Sequence, residues 1–176
     1  MTIRRVLFCS AMLVALTSAA TAPADVMVWF VPASPTVNVG GTVAVDIMVD
    51  SDVPITGWGL DFTIGEPAYA AWTDTLIGSA WDAADSIDED GLAGLRFPDG
   101  ISGQVLLATV TIQGLAVGVT PLCASSGPEE DEGFLLDTGS LATNVSFEPG
   151  CLTVIPEPSA IALLSAVALA TLLRRR

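Results

Sequence analysis

The chain has 176 residues, 51% of them hydrophobic, and a formal net charge of −14. Nineteen carboxylates lie between residues 25 and 154, where Arg96 is the single basic residue. This charge excludes the usual electrostatic route to nucleic acid binding. The absence of histidine and lysine from the sequence excludes a Ser–His–Asp triad, a Cys–His pair, a histidine-ligated zinc and a Schiff-base lysine.

Residues 1–24 have the three parts of a secretory signal peptide. Two arginines near the start precede a short apolar run, and small residues follow that run. The small residues Ala22 and Ala24 predict cleavage before Asp25, and Ser18-Ala19-Ala20 is a second candidate site. An uncleaved membrane anchor is the alternative, although the run is shorter than the roughly 20 residues that span a bilayer. The sequence therefore predicts an exported protein.

Between residues 25 and 154, apolar residues recur at every second position, which is the period of half-buried β-strands. The clearest alternation occurs in residues 42–50, 57–64 and 105–113. In the last of these, Leu106 and Ala108 are predicted to face inward, together with Val110 and Ile112. Shorter candidate strands are residues 25–31, 118–123, 133–137, 143–147 and 151–154.

The turns and the missing helices decide the predicted fold class. Gly40 and Gly41 predict a hairpin turn before the first clear strand. No convincing amphipathic helix interrupts the eight or so short strands. The sequence predicts an all-β fold, a single antiparallel β-sandwich of jelly-roll type.

The order of these strands resembles the cohesin-like sandwich over most of residues 27–154. The matching segments are residues 37–49, 55–64, the long central strand 103–114 and the last strand 150–154. The resemblance implies the fold and a role in adhesion or protein interaction without catalysis. Cohesins of cellulosomes bind dockerins, but this chain contains no dockerin-type repeat, so the partner stays open.

Three features follow one another after the predicted sandwich. Pro156, Glu157 and Pro158 precede the apolar residues 159–173, which end at Arg174, Arg175 and Arg176. As a helix the apolar segment is about 22 Å long against a hydrocarbon core of about 30 Å, and arginine snorkelling with local thinning covers the difference. The arginines are predicted to stop the helix on the cytoplasmic side, with the sandwich outside.

This tripartite tail, residues 155–176, resembles the PEP-CTERM sorting signal of bacteria that possess an exosortase. The resemblance implies that a membrane transpeptidase-like enzyme recognises the tail and cuts near Pro156–Pro158. It also implies inner-membrane anchoring first, and then transfer to the cell surface or the exopolysaccharide matrix. The chain departs from the pattern only in having Ile155, rather than valine, before the first proline.

Cys123 and Cys151 remain once the signal peptide, with Cys9, is removed. An even pair in an oxidising compartment predicts a disulfide. Such a bridge closes a loop of about 29 residues and contributes about 3–4 kcal/mol in the chain-entropy model. Two buried free thiols are the alternative.

Residues 74–99 are acidic, lack alternation and are predicted to form an irregular insert. Asp85, Asp88 and Asp90 are candidate calcium ligands there. The EF-hand pattern fails because Phe97 stands where a bidentate glutamate is required. A solvated acidic loop without metal is the alternative.

Trp72 and Trp81 fall in the same irregular region and are candidate glycan contacts. They carry the alternative function of a carbohydrate-binding module acting on exopolysaccharide, although each could instead cover the edge of the core. A third hypothesis is a carboxylate hydrolase, which needs two carboxyl groups about 5–10 Å apart. A sequence this acidic offers many such pairs and singles out none.

Overall fold

The structure is a computed structural model, and it describes residues 26–83, 91–126 and 132–157. The described residues form eleven β-strands and no helix, which confirms the all-β prediction. The strands are β1 (Val26–Val31), β2 (Thr36–Asn38), β3 (Thr42–Ile64), β4 (Ala70–Ile77), β5 (Asp82–Ala83), β6 (Gly91–Leu95), β7 (Ile101–Gly114), β8 (Gly118–Ser125), β9 (Gly133–Leu136), β10 (Val145–Phe147) and β11 (Gly150–Ile155).

The predicted signal peptide lies outside the described residues, and so do the apolar segment and the arginines of the tail. In the part that the structure describes, no helix has the length and apolar character needed to cross a membrane.

The long strand β3 belongs to both sheets of the sandwich. Its first half, residues 42–51, lies between β1 and β7 in a sheet ordered β10-β1-β3-β7-β4. Its second half pairs with β6 on one side and with β8 and β9 on the other. Beyond β8 lie β11 and β2, and beyond β6 lies β5. Residues 52–54, where the register with β7 shifts, carry the chain from one sheet to the other.

The pairing defines two ends of the sandwich. The "exit end" comprises residues 38–42, 65–70, 113–119 and 155–157, where backbone hydrogen bonds join Gly40 to Gly114, Leu115 to Tyr69 and Val39 to Ile155. The "far end" comprises residues 51–55, 97–103 and 136–141, where Ile55 pairs with both Ile101 and Leu136. The described chain therefore begins at the far end, since Val26 pairs with Ser51, and leaves at the exit end.

The core lies between the two sheets and follows most of the predicted alternation. Val45, Ile47 and Val49 are fully buried in the first half of β3, as the pattern predicts. In the second half, Trp58, Leu60 and Phe62 are buried as predicted.

The predicted inward position of Leu106 in β7 is wrong. Met48 pairs with Leu106 and Ile47 with Ala108, so Leu107 is an extra residue, a β-bulge. A bulge shifts the phase of the side chains by one position. Leu107 and Ala108 are both fully buried as a result, whereas Leu106 is half-buried.

The irregular insert predicted for residues 74–99 is also wrong in part. The end of β4, β5 and β6 all fall within it, while residues 84–90 are outside the description. Alternation fails in β4 because a register shift lies between Trp72 and Asp74. It fails in β6 because Gly91 and Gly94 interrupt the apolar pattern.

The turn predicted at Gly40 is present, with Gly40 at φ +80°. It does not close a hairpin, however, because β2 pairs with β11 rather than with β3. The turn instead carries the chain from the second sheet to the first.

Candidate protein-interaction surface

An apolar groove lies on the outer face of the second sheet, toward the far end. Its walls are leucines that are distant in sequence, and its volume is about 340 Å³. The "leucine groove" is lined by Gly57, Trp58, Ala93, Leu95, Gly133, Leu135 and Leu141.

The strand register explains the shape of the leucine groove. Leu95 of β6, Gly57 of β3 and Leu135 of β9 lie side by side in one row. Side chains on one face of a strand recur at every second residue. The next row on that face is therefore Ala93, Gly59 and Gly133. The small residues of this second row form the floor of the leucine groove, and the leucines form its walls.

The absence of a side chain at Gly57 lets Leu95 and Leu135 approach each other over the strand. A Cβ at this position would lie 2.8 Å from Cδ2 of Leu95 and 3.6 Å from Cβ of Leu135. The outer wall is nevertheless open to solvent, since Leu95 is 48% exposed and Leu141 46% exposed. Part of the apolar wall is therefore available for contact with another molecule.

Carboxylates flank the leucine groove both across the strands, at β5, and along β3. Asp82 pairs with Leu95 at the side of β5. Asp61 follows Gly59 on the same face of β3, and its Oδ1 is buried without a hydrogen-bond partner among the described residues. The guanidinium of Arg96 donates to the carbonyl oxygen of Ala80 at 2.9 Å, toward the far end. The rim therefore favours a ligand that brings hydrogen-bond donors or positive charge.

The structure gives no support to a sugar-stacking platform made of Trp72 and Trp81. Trp81 is only 6% exposed, packs edge-on against Trp58 at 6.2 Å, and donates its Nε1 hydrogen to the carbonyl oxygen of Leu106. Trp72 is half-buried in β4 and packs edge-on against Phe62 at 5.5 Å. Its Nε1 hydrogen lies between Thr75 Oγ1 and a backbone carbonyl. Both indoles cover the edge of the core, the alternative that the sequence left open.

The predicted disulfide between Cys123 and Cys151 is not formed in the structure, where both thiols are free and exposed. They occupy the outer face of neighbouring strands, but Cys151 pairs with Pro121. Cys123 is therefore in a diagonal position, and diagonal neighbours lie about 7–8 Å apart. A disulfide generally requires Cα atoms closer than about 7 Å.

The other predicted site residues are only partly described. Asp85, Asp88 and Asp90 lie outside the described residues, as do Pro158 and the three arginines of the tail. Within the described ranges, no group of three or more acidic or cysteine side chains is placed to hold a metal ion. Pro156 is half-buried and Glu157 exposed directly after β11.

The sequence pattern does not indicate the leucine groove. The strands that form its rows are separated by up to about 80 residues of sequence. One of them, β6, lies in the region predicted to be irregular. Only the small residues Gly57 and Gly59, set opposite Trp58 and Leu60 in an alternating strand, could have indicated a face where something packs closely.

Comparison with solved structures identifies the class of fold as that of cohesin modules. No family model matches the chain, and no curated protein is detectably similar in sequence. The cohesin-like β-sandwich is thus recognised from the similarity to solved structures and not from sequence similarity.

Three of the similar structures come from different organisms. The cohesin module of a Clostridium perfringens family 33 glycoside hydrolase superposes with a TM-score of 0.60 at 8% identity, over 76% of this chain and 98% of the module. The third ScaB cohesin of R. flavefaciens, in complex with a group 1 dockerin, gives 0.58 at 17% identity, over 77% and 99%. A non-cellulosomal cohesin from Archaeoglobus fulgidus gives 0.53 at 15% identity, over 80% and 97%.

Proposed function

We propose that this chain is an exported, non-enzymatic protein-interaction module of the cell surface or the exopolysaccharide matrix. Its sandwich binds a partner protein at the leucine groove. Its tail, residues 155–176, anchors the chain in the inner membrane and is then processed by an exosortase-type enzyme.

The leucine groove is the observation that carries the binding role. The domain has a strong net negative charge, with nineteen carboxylates against Arg96 between residues 25 and 154. Exposed leucines cost solubility unless a partner covers them, and contiguous apolar patches mark interaction sites in soluble domains. Several solved neighbours of the fold are complexes with a dockerin, which supports a protein as the ligand class.

The acidic rim supports a partner with cationic side chains around an apolar centre. Asp61 and Asp82 lie on two sides of the leucine groove, and opposite charge across a rim raises association rates and selects partners. The partner need not resemble a dockerin in sequence. It must present apolar side chains that fit between Leu95 and Leu141.

Site-specific crosslinking tests the binding role. A photoreactive amino acid at position 95 in the full chain, expressed in its own host, is expected to crosslink one protein reproducibly. Leu76 is the matched control, because it is 71% exposed but lies in β4 of the other sheet. Crosslinking at 95 should disappear in a Leu141→Asp variant, which places a charge on the opposite wall.

Equal crosslinking from positions 95 and 76 would contradict a role for the leucine groove. The Leu141→Asp variant is expected to lose all specific crosslinks while its β-structure stays intact by circular dichroism. A Leu76→Asp variant is expected to keep them.

The tail requires a separate test. Deleting Arg174, Arg175 and Arg176 is expected to release the chain from the membrane fraction, because apolar residues without a charged stop can pass through the bilayer. Changing Pro156, Glu157 and Pro158 to alanine is expected to leave the chain at the membrane, in its unprocessed size. Undiminished membrane recovery of the arginine deletion would show that the stop role is wrong.

A further inference from the structure

We propose that the exit end rests directly on the lipid surface of the membrane in which the tail is anchored. The contact is made by an "exit patch" of four side chains, Leu115, Val117, Val119 and Ile155. This inference rests on the membrane anchoring proposed above, and it assigns the domain a fixed orientation on the bilayer.

The exit patch is an exposed apolar surface distinct from the leucine groove. Leu115 is 45% exposed, Val117 55%, Val119 56% and Ile155 40%. Val119 of β8 pairs with Thr153 of β11, and Gly118 pairs with Val154. Continuing this register by one residue sets Val117 beside Ile155.

The loop of the exit patch is held firmly although its side chains are exposed. The backbone N–H groups of Leu115 and Ala116 both donate to the carbonyl oxygen of Tyr69, at 2.7 and 3.2 Å. Gly114 donates to Gly41 and accepts from Gly40 at the base of the loop. A Cβ on Gly118 would lie 2.7 Å from the ring of Tyr69, so the next strand also begins in close contact. A preorganised loop loses little conformational entropy when it binds a surface.

Charge distinguishes the exit end from the rest of the domain. No charged residue occurs between Asp99 and Glu129 in the sequence, a stretch that includes all of β7, the loop and β8. Within the four segments that define the exit end, Glu66 and Glu157 are the charged side chains. Elsewhere the acidic surface is repelled by anionic headgroups, so this end can approach a bilayer most closely.

The length of the link between β11 and the apolar run limits the distance between the exit patch and the bilayer. The carbonyl oxygen of Ile155 accepts from the N–H of Val39 at 2.9 Å, so the chain is ordered up to this residue. The apolar run begins at Ser159, four residues later, and four extended residues span at most about 14 Å. If the apolar run lies in the bilayer, the lipid surface is within that distance of Ile155.

Because the domain is tethered to a membrane helix, a small apolar patch is sufficient to hold it on the bilayer. Four side chains are too few for a free acidic domain to bind a bilayer strongly. A short link to a membrane helix, however, raises the effective concentration of the surface at the patch. We therefore commit to lipid, rather than to a second copy of the chain, as the surface that covers the exit patch.

The test places an environment-sensitive NBD label at three positions of the chain without its leader, reconstituted into phosphatidylethanolamine–phosphatidylglycerol vesicles. The labelled variants are Ala116→Cys in the loop, Leu76→Cys in β4 and Ala166→Cys in the tail, each with Cys123→Ser and Cys151→Ser. The label at 116 is expected to be blue-shifted and quenched by lipid-attached nitroxide, whereas the label at 76 is quenched by aqueous iodide. A Leu115→Ser, Val117→Ser pair is expected to return the label at 116 to water, and Leu76→Ser is expected to leave it in lipid.

The three labels separate the possible failures. A label at 116 as accessible to iodide as the label at 76, with the label at 166 in lipid, overturns the exit patch and leaves the anchor intact. A label at 166 in water overturns the membrane anchoring itself. A blue shift at 116 that depends on protein density, without quenching from lipid, identifies a second copy and also overturns the proposal.

Discussion

Gly94 leaves the space that the indole of Trp58 occupies beside β6. A Cβ at Gly94 would lie 2.6 Å from Nε1 of Trp58 and 2.8 Å from Cε2. The ring cannot yield easily, since it is 4% exposed and packs edge-on against Trp81. Glycine at this position is therefore a packing requirement of the core beneath the leucine groove.

We expect Gly94→Ala to lower the free energy of unfolding by about 1–3 kcal/mol, the usual cost of overpacking a core. Urea denaturation measures this change. In a Trp58→Phe background, which removes the part of the ring that the added methyl group would contact, the same substitution should cost clearly less. Equal costs in both backgrounds would show that the contact with Trp58 is not the cause.

The two cysteines of the second sheet provide another test at the scale of single residues. Because Cys123 and Cys151 are exposed and diagonal, both are expected to react with a maleimide in the folded, leader-free protein without reductant. Mass spectrometry should find two adducts. Adducts that form only after reduction would show that the strands shift enough to close the bridge predicted from the sequence.

The bulge in β7 illustrates how a single element departs from its sequence pattern. The segment Val105–Ala108 contains four apolar residues in succession, so alternation cannot decide which of the two leucines is buried. Leu107 is fully buried, and the carbonyl oxygen of Leu106 accepts the indole N–H of Trp81 at 2.9 Å. The extra residue thus serves the packing of a tryptophan 25 residues away.

Truncating the two leucines distinguishes the observed register from the predicted one. Leu107→Ala is expected to cost about 2–5 kcal/mol of unfolding free energy, as for buried leucines generally. Leu106→Ala should cost much less, because its side chain is half-buried. Thermal and urea unfolding of both variants give the comparison, and a larger loss at Leu106 would contradict the bulge.

The elements with a regular two-residue period could be predicted from sequence, and the others could not. Both halves of β3 have the predicted burial, since each runs along one face of the core. β4 has a register shift and β6 has glycines, so their periods are broken locally. The leucine groove was not predictable because Leu95 and Leu135 become neighbours only through their separate pairing with Gly57.

The described molecule has its two apolar surfaces at opposite ends. Ile64 lies seven residues along β3 from Gly57 in the direction of the exit end, a distance of about 23 Å at the rise of a strand. With the exit patch on lipid, the leucine groove would therefore lie away from the membrane. A partner protein would reach it without competing with the bilayer.

The way in which β11 is held in the sheet determines how the anchored domain responds to tension. β11 pairs with β8 over residues 150–154 and with β2 over residues 153–155. Strand hydrogen bonds run across the strand direction, so a pull along β11 strains many of them at once. In single-molecule force spectroscopy, pulling between positions 95 and 157 should require a higher rupture force than pulling between 116 and 157, which opens the bonds between β8 and β11 one after another. Similar forces in both geometries would contradict a shear-resistant attachment of β11 while the tail is anchored.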